Sequence, residues 1–455
     1  MKVIIVGIGK LGDYLAKELV AEKHDVTIID TKFNNRNNII NNEDLNYICG
    51  NGLDSNILLE AGISNSDLLI SVMDKDENNV MCCLLGKKLG VKHTIARVRK
   101  PEYSNFLTLV KNDIGLSMTI NPDLLTARHI AGVLSIPSAL DVTPFFKGRL
   151  QLVSLKVNEK CPLIGLTIKA LSNKVTKDVI VCAVEREDEV IIPKGNIKFK
   201  EGDIIHVTGI RKDIQKLIQY AGYMTNKMKK VMIIGGSSTS VYLANILNDM
   251  NIKSTIVEFD SKRCTELVEL VPNSLIINGD ATDENILLEE DIKNMNGFVA
   301  LTSIDEENVI LSMFAKLNGV SKVITKTSHI NLGGVLEKTN IDSIVTPHKI
   351  VANQIVTYIR AMQNGEDNSC ESIYKFGNNK FEVLEFIVKN SFKALNKPLK
   401  DISFKNNIVI AAIMRGKNII YPGGKDVIEE GDTIVVVNGN KNINEINDIM
   451  ESNYE

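Results

Sequence analysis

The chain has 455 residues, of which 44% are apolar, and its formal net charge is only −3. This length predicts two to four domains, each able to bury a hydrophobic core. The near-neutral charge argues against a nucleic-acid-binding protein, because such domains are usually strongly basic. Tryptophan is absent and only 5% of the residues are aromatic, so platforms for base stacking are not expected either.

Targeting and redox signals predict a cytoplasmic chain. The amino terminus leads directly into a strand pattern, so we expect no signal peptide. The nearest candidate for a membrane span, 129–146, is interrupted by Pro137, Asp141 and Pro144, so we expect no transmembrane helix. Seven cysteines without a Cys-x-x-Cys pair and six scattered histidines predict reduced thiols and no metal site.

Short β-branched runs alternate with helical patterns over the first 120 residues. The predicted strands are Val3–Val6, Val26–Ile29, Tyr47–Cys49, Leu68–Val72 and Thr94–Val98, and the predicted helices are Leu11–Ala21, Ser55–Ala61 and Asn78–Leu89. Apolar strands that alternate with helices are typical of a parallel sheet covered on both faces. We therefore predict a doubly wound, Rossmann-like α/β domain.

A helix and then a smaller domain are predicted next. Asn121, Pro122 and Asp123 predict the start of a helix that continues to about Leu134, because proline is well tolerated in a first turn. From 150 to 210 short alternating strands dominate, and a helix is expected only near 212–221; the strands are Leu150–Val157, Val179–Val184, Val190–Ile192 and Ile204–Val207. This pattern predicts a small α+β domain.

The predicted series of a nucleotide domain, a connecting helix and a small domain occurs twice in the sequence. Residues 3–30 match 231–258 at a constant offset of 228, so that Gly7 corresponds to Gly235. A repeat of about half the chain predicts a tandem duplication of a two-domain module rather than a solenoid. The predicted boundaries are 1–121 for the first nucleotide domain, 122–144 for its connecting helix, 145–226 for the first small domain, 229–346 for the second nucleotide domain, 347–366 for its connecting helix and 370–455 for the second small domain, with linkers at 227–230 and 365–369.

A glycine-rich motif at 7–12, Gly-Ile-Gly-Lys-Leu-Gly, follows an apolar strand and opens a helix, as the phosphate loop of a dinucleotide fold does. Gly7 permits the tight turn, Gly9 lets backbone amides approach a pyrophosphate, and Gly12 allows close helix–strand packing. The helix N-terminus offers unpaired donors to the phosphates. Asp30 ends the second strand, where a carboxylate accepts the ribose hydroxyls and favours NAD over a 2′-phosphorylated cofactor.

The second copy departs from this pattern. It keeps the first glycine, Gly235, but has Ser237 and Ser240 where the first motif has its other glycines. Each serine adds a Cβ at the point of closest approach, which hinders a pyrophosphate, although its hydroxyl can also bond a phosphate directly. Glu258 keeps the carboxylate at the end of the second strand. Two interpretations stay open: the second site is vacant, or it binds a different nucleotide.

The loops after the fourth strand of each copy, 73–79 and 302–308, are predicted to lie beside the ligand crevice, at the carboxyl edge of the sheet. For Asp76 in the first loop, the favoured interpretation is an acidic residue that complements a helix dipole. Arg97, at the end of the fifth strand, reaches the same edge and is suited to neutralise a phosphate. Lys326 occupies the corresponding position in the second copy.

No reaction centre accompanies these motifs in the sequence. A dehydrogenase needs an acid–base group beside the nicotinamide. The two small domains contain a single histidine, His206, on an alternating strand where core packing or a solvated face is the favoured interpretation. The sequence also has no Ser-His-Asp arrangement and no Walker loop. We therefore predict that the chain is not an enzyme.

A combination of motifs indicates a family. A GxGxxG nucleotide domain with a terminal Asp is followed by an Asp-Glu-x-Asn loop, a proline-started helix and a small domain ending in Pro-x-Gly and Glu-Gly-Asp, and the series is repeated. This order resembles the TrkA family, the regulatory subunits of Trk-type potassium uptake systems, which are built from tandem RCK (KTN) modules. The resemblance covers essentially the whole chain.

The resemblance implies ligands and partners. It implies NAD(H) at the first module and an adenine nucleotide, ADP or ATP, or no ligand at the second. It also implies a cytoplasmic protein, peripheral to the inner face of the membrane, that acts on a TrkH/TrkG-like potassium-translocating subunit. Self-association as a dimer or tetramer, in a ring, is expected, and the small domains, with their exposed strand edges, are the expected dimerisation surfaces.

The same resemblance implies the ligand contacts. In the first module they fall on Gly7, Ile8, Gly9, Lys10, Leu11, Gly12, Asp30, Met73, Asp74 and Arg97. In the second module they fall on Gly235, Gly236, Ser237, Ser238, Thr239, Glu258, Thr302, Ser303 and Lys326. Met73 stands where the family has threonine, which removes one hydroxyl contact and leaves the backbone ones.

Two alternatives remain from the sequence. One is an NAD-dependent oxidoreductase with duplicated Rossmann halves, which shares the nucleotide loop and differs in having a reaction. The other is an RCK regulator of a different potassium transporter, such as an efflux system, which differs only in its membrane partner.

Overall fold

The computed structural model describes residues 1–32, 45–100, 103, 115–187, 189–193, 195–223, 227–328, 339, 341–363, 370–376, 381–439, 443 and 445–451. The predicted linker at 365–369 lies outside the described residues, whereas the one at 227–230 lies within them. None of the helices in these ranges is long and apolar enough to cross a membrane.

The first nucleotide domain is built on a six-stranded sheet in the order β3-β2-β1-β4-β5-β6, with neighbouring strands parallel. The strands are β1 (Lys2–Val6), β2 (Asp25–Asp30), β3 (Leu45–Cys49), β4 (Leu68–Ser71), β5 (His93–Arg97) and β6 (Met118–Ile120), and the helices are α1 (Lys10–Ala21), α2 (Ser55–Glu60) and α3 (Asp76–Lys88). The doubly wound, Rossmann-like fold is confirmed. The short strand β6 was not predicted.

The connecting helix α4 (Pro122–Ser135) begins as predicted, with Asn121 as its N-cap: the Asn121 side chain accepts a hydrogen bond from the Leu124 amide. The first small domain follows as an antiparallel sheet in the order β10-β9-β11-β8-β7. Its elements are β7 (Asp141–Phe145), β8 (Leu150–Lys156), α5 (Ile168–Lys174), β9 (Val179–Arg186), β10 (Glu189–Ile191), β11 (Ile204–Gly209) and α6 (Arg211–Tyr220). The sequence predicted neither β7 nor α5.

The second module repeats both domains. Its parallel sheet has the order β14-β13-β12-β15-β16-β17, and its antiparallel sheet has the order β18-β19-β22-β20-β21. The strands are β12 (Lys230–Ile234), β13 (Lys253–Glu258), β14 (Leu275–Asn278), β15 (Gly297–Ala300), β16 (Lys322–Lys326), β17 (Ser343–Val345), β18 (Cys370–Phe376), β19 (Phe381–Ile387), β20 (Ile408–Arg415), β21 (Asn418–Ile420) and β22 (Thr433–Asn438). The helices are α7 (Ser238–Asp249), α8 (Ser261–Leu270), α9 (Glu284–Glu289), α10 (Asp305–Leu317) and the second connecting helix α11 (Pro347–Gln363).

The two modules exchange their connecting helices. Helix α4 packs against α7 of the second nucleotide domain, and α11 packs against α1 of the first, while α4 and α11 also contact each other. On α1 the apolar side chains Leu11, Leu15 and Leu19 recur every four residues and form the face that is buried. They belong to one core with Ile355 on α11. Each helix that opens with a glycine loop is therefore covered by the other module.

The small domains pack on each other inside the chain. Phe145 and Leu152 of the first sheet share a core with Val383 and Val435 of the second, and all four are at most 1% exposed. Two sheets that bury their inner faces in this way form a sandwich. These contacts bury sheet faces within one chain, whereas the surfaces expected to dimerise are the strand edges of the small domains.

A polar cluster joins the first connecting helix to the second small domain. His129 on α4 lies 3.2 Å from Asp141, which also accepts a hydrogen bond from the hydroxyl of Tyr374 on β18. Burial alone would raise the pKa of Asp141, but His129, Tyr374 and the Val142 amide outweigh it and hold that pKa at about 2. Burial would lower the pKa of His129, yet the charge and hydrogen bond of Asp141 raise it above its ordinary value.

This cluster should make stability depend on pH. The contribution of Asp141 is present above its unfolded pKa of 3.8 and is lost as the pH falls toward 2. The contribution of His129 is complete below its unfolded value of 6.5 and is lost as the pH rises through the raised pKa. Replacing Asp141 with Asn should therefore lower the free energy of unfolding by about 2 kcal/mol between roughly pH 4 and 6.5, and by less in alkaline solution.

Thermal unfolding of wild type, Asp141→Asn, His129→Gln and the double variant, at pH 5 and pH 9, measures this effect. At pH 5 the double variant should lose less free energy of unfolding than the sum of the losses of the two single variants, because each single substitution removes the same pair. A cost of Asp141→Asn that is the same at both pH values would contradict the assignment.

Candidate functional site

The first glycine loop has the geometry of an anion-binding turn. Gly7 has a φ of +101°, which side chains rarely adopt, and a Cβ there would meet the Met73 backbone nitrogen at 3.0 Å. A Cβ at Gly12 would overlap the carbonyl oxygen of Gly7. At Gly9, by contrast, a Cβ would meet no atom of the described residues within 4 Å, so these residues leave the space in front of it open.

Helix α1 starts without a side-chain cap. Gly9 is its N-cap residue, and among the described residues no side chain accepts a hydrogen bond from the first amides. Such amides need an outside acceptor, and the positive end of the helix dipole favours an anion. Lys10, the first residue of the helix, is exposed at this end.

Asp30 is tied directly to the loop. Its carboxylate accepts a hydrogen bond of 2.7 Å from the backbone N–H of Ile8 and one of 2.8 Å from that of Lys32. The acid at the end of β2 and the glycine turn after β1 therefore form one polar edge. This edge is where the sequence predicts that the ribose and the phosphates of a dinucleotide bind.

The loop after β4 supplies a second wall. The guanidinium of Arg97 donates to the carbonyl of Met73, and the Nε of Arg97 is buried without a partner among the described residues. Burial and the neighbouring Arg99 lower the pKa of Arg97, while nearby carboxylates, Asp74 among them, oppose this. A buried, unpaired donor beside an open, uncapped helix end fits an anionic ligand such as a nucleotide phosphate.

Asn79 holds this wall in place, a role that the sequence did not reveal. Its side chain accepts a 2.7 Å hydrogen bond from the Met73 amide and donates to the carbonyls of Met73 and Arg97. Asn308 makes the same contacts with Thr302 and Lys326 in the second module. The available signal was the repeat itself, because the two asparagines correspond at an offset of 229.

Asp76 does more than complement a helix dipole. It is only 4% exposed, and its carboxylate accepts hydrogen bonds from the backbone amides of Arg99 and Lys100, at 2.8 and 2.9 Å. Asp305 bonds the Ser328 amide in the second module in the same way. These carboxylates fix the chain that leaves β5 and β16, beside the predicted crevice.

Several polar groups of the second glycine loop are bonded within the loop or to helix α8. Ser237 caps α7 by accepting a hydrogen bond from the Ser240 amide, and the Ser240 hydroxyl donates to the Gly235 carbonyl at 2.5 Å. Arg263 on α8 donates from Nε to the carbonyl of Gly236 at 2.7 Å. The serines that replace the glycines of the first loop thus bond to their own loop.

Glu258 is also closed in. It is 8% exposed, and it accepts hydrogen bonds from the amides of Gly236 at 2.5 Å and Asp260 at 2.9 Å. A Cβ at Gly236 would lie 3.0 Å from this carboxylate and 2.6 Å from Leu267, so a side chain there, such as the isoleucine of the first copy, would require these two side chains to shift. Asp30 accepts the corresponding pair of hydrogen bonds in the first module but is only half-buried, so the difference between the two acids is one of burial.

The remaining residues implied for the second site are distributed between surface and interior. Ser238 and Ser303 are exposed, and the Thr302 hydroxyl bonds locally to Ile304. The ammonium of Lys326 donates to the Leu301 carbonyl at 3.3 Å. Burial lowers the pKa of Lys326, which Asp123 and Asp305 counteract.

The described residues offer no metal centre: they contain no group of three or more His, Cys, Asp or Glu side chains that could hold a metal ion. His206 contacts Ser154 at 2.9 Å and Glu185 at 3.0 Å and is 3% exposed. The core-packing interpretation of His206 therefore fits its position on β11.

A parallel dinucleotide-type sheet, a connecting helix and a small antiparallel domain, all present twice, define the class of tandem RCK-like proteins. Crystal structures with this fold include the GsuK RCK domain, with a TM-score of 0.64 at 16% identity over 96% of this chain and 92% of that chain. Another is the GsuK channel bound to NAD, with a TM-score of 0.63 at 16% identity, over 96% of this chain and 76% of that one.

The chain belongs to the TrkA family, as its sequence motifs suggested. The TrkA-N domain matches residues 3–122 and 231–347, and the TrkA-C domain matches 152–222 and 383–451. The Trk system potassium uptake protein TrkA homolog 1 of Methanosarcina mazei is 32% identical over 96% of this chain and 97% of its own length. The Trk system potassium uptake protein TrkA of Halomonas elongata is 29% identical over 96% and 95%.

Proposed function

We propose that this chain is a nucleotide-sensing regulatory subunit of a Trk-type potassium uptake system and that it binds NAD(H) at its first module. The assignment of NAD(H) rests on the start of α1 at Gly9, which has no side-chain cap and is open to solvent. The amide of the preceding residue, Ile8, donates a hydrogen bond to Asp30. The system is inferred from curated relatives that are named Trk system potassium uptake proteins.

The two sites should differ in occupancy. At the first module the contacts we propose are those implied by the sequence, from Gly7 to Gly12 together with Asp30, Met73, Asp74 and Arg97. At the second module we propose an adenine nucleotide or no ligand, because Ser240 and Arg263 already bond the carbonyls of the loop. A neighbour of the same fold is described as GsuK bound to ADP, which supports testing adenine nucleotides here.

Regulation would follow from a shift between arrangements of the modules. A nucleotide that binds one arrangement more tightly biases the assembly by that difference in affinity and no more. The exchanged helices α4 and α11 are suited to transmit the shift, because each touches the glycine-loop helix of the other module. The partner we propose is a TrkH-like membrane subunit, contacted by a self-associated, peripheral ring of these chains in the cytoplasm. The domain boundaries given above also remain a proposal.

Replacing Asp30 with Ala should weaken NAD binding about 10- to 100-fold, because a carboxylate that holds the loop and accepts ribose hydroxyls is lost. Isothermal titration calorimetry with NAD measures the change. The matched control is Glu258→Ala, which removes the corresponding acid of the second module and should change NAD affinity much less. Equal losses in both variants would argue against a first-module site, and wild type that binds neither NAD nor NADH would refute the proposal.

The oxidoreductase alternative makes a different prediction. An enzyme would consume or produce NADH with a suitable substrate, whereas a regulator binds NADH without turnover. A screen that follows NADH absorbance separates the two. Co-purification from membranes distinguishes a Trk-type partner from another potassium transporter.

A further inference from the structure

The exchanged helices bring one side chain from each module to the glycine loop of the other. Helices α4 and α11 both begin with a proline, and the residue after it is Asp123 in the first and His348 in the second. Because α4 packs on α7 and α11 packs on α1, each of these two residues lies in the first turn of a helix that contacts the glycine-loop helix of the other module. One position carries an acid and the other an imidazole.

Asp123 is bonded at the start of the second loop's helix. Its carboxylate accepts a 2.7 Å hydrogen bond from the hydroxyl of Thr239. Thr239 is the second residue of α7 and is 4% exposed. The charge of Asp123 also acts on Lys326, the cation implied for the second site. The carboxylate is therefore bonded at the start of α7, where the helix dipole favours an anion, and its charge acts on Lys326 and also on Arg97 of the first module.

Neighbouring contacts keep this carboxylate in position. The Tyr242 hydroxyl on α7 donates to the carbonyl of Arg99 at 3.0 Å. The side-chain amide of Asn121 donates to this carbonyl and to the Tyr242 hydroxyl, each at 3.0 Å. Asn121 is the N-cap of α4, two residues before Asp123. The first turn of α4 is therefore fixed against α7.

The first loop receives a different partner. The ring of His348 packs against Tyr14 on α1, with centroids 5.9 Å apart, and its Nε2 donates to the Ser328 carbonyl at 2.7 Å. His348 is 8% exposed. Neither the neutral nor the protonated imidazole adds negative charge beside α1.

We propose that Asp123 is a selectivity residue, contributed by the first module, that keeps anionic nucleotides out of the second glycine loop. This inference deepens the proposed function and rests on it for the ligand class. Like charges a few ångströms apart in a partly buried site repel strongly enough to change a dissociation constant on the order of tenfold to a hundredfold. At the first loop the residue after the helix-starting proline is His348, which adds no negative charge beside α1; the charge of Asp123 also acts on Arg97 of the first module, but its carboxylate is bonded to the start of α7.

The first test asks whether the second loop binds a nucleotide once the charge of Asp123 is removed. Asp123→Asn keeps the shape of the side chain and an acceptor for Thr239 but removes the charge. It is made in an Asp30→Ala background that weakens the first site, and ADP binding is measured by calorimetry. ADP should bind at least tenfold more tightly than to Asp30→Ala alone, and the gain should shrink at high salt. No gain in affinity would overturn the proposal.

The second test adds the same charge to the other loop. His348→Asp should weaken NAD binding to the otherwise wild-type chain by about tenfold or more, whereas His348→Asn, which removes the ring without adding charge, should weaken it much less. Equal effects of the two substitutions would overturn the proposal. Wild type that binds no NAD would refute the proposed function instead, while the ADP measurement on Asp123→Asn would still decide the role of Asp123. Thermal unfolding of each variant confirms that it is folded.

Discussion

Replacing Gly12 with Ala should abolish measurable NAD binding, a loss of more than about 100-fold in affinity. The Cβ would overlap the carbonyl oxygen of Gly7, which is backbone and cannot move aside as a flexible side chain could. The turn would have to open, and the amides at the start of α1 would leave the positions from which they meet a pyrophosphate. Calorimetric titration with NAD, on protein shown to be folded by circular dichroism, measures the effect.

The second copy provides the matched control. Ser240 occupies the position of Gly12 there, and its hydroxyl donates to the Gly235 carbonyl, so that loop already accommodates a Cβ. Ser240→Gly should leave NAD affinity at the first module unchanged and cost about 1 kcal/mol of stability, through one lost hydrogen bond and a more flexible backbone. If Gly12→Ala binds NAD as wild type does, the first glycine loop is not the nucleotide site.

Replacing Arg360 with Met should lower the free energy of unfolding by about 3–5 kcal/mol. Arg360 on α11 is 5% exposed and bonds two carboxylates, Glu22 on α1 at 2.5 and 2.9 Å and Glu382 on β19 at 2.9 and 3.0 Å. Lys375 on β18 bonds Glu22 and Glu18 at 3.0 and 3.1 Å. Removing the guanidinium leaves Glu22 with Lys375 and takes away both bonds of Glu382 to Arg360, and uncompensated buried charge is costly.

The pH dependence of this variant should also change in sign. Burial would raise the pKa of Glu22, but Arg360 and Lys375 outweigh it, so that pKa is lowered and wild type loses this contribution as the pH falls. Without Arg360 the pKa of Glu22 should rise, and mild acid should recover part of the lost stability by protonating the carboxylate. Thermal unfolding at pH 5 and pH 8 compares the two proteins.

Lys17→Met is the control for this experiment. Lys17 also lies on α1 and pairs with Asp13 at 2.8 Å, but the two side chains are 48% and 32% exposed. Loss of such a surface pair should cost less than about 0.5 kcal/mol. A cost for Arg360→Met as small as that for Lys17→Met would show that the buried cluster does not hold α1, α11 and the second small domain together.

The sequence predicted the local parts of this molecule well, for a physical reason. The apolar strands that alternate with helices, the glycine turn before α1 and Asp30 at the end of β2 each depend on a few consecutive residues. Of the strands it missed, β6 has only three residues, and β7 contains Pro144, which weakens a strand pattern. The duplication predicted that each domain would occur twice, and the fold confirms this.

The sequence alone determined that the chain is a duplicated Rossmann-like protein of the TrkA family, with an intact glycine loop in the first copy and a divergent one in the second. Only the tertiary structure decided how the copies meet: α4 lies on α7, α11 lies on α1, and the small domains form one sandwich. The contacts of Asp123 with Thr239 and of Arg360 with Glu22 span 116 and 338 residues. No local pattern encodes such pairs, because they depend on which apolar faces are buried against each other once both modules have folded.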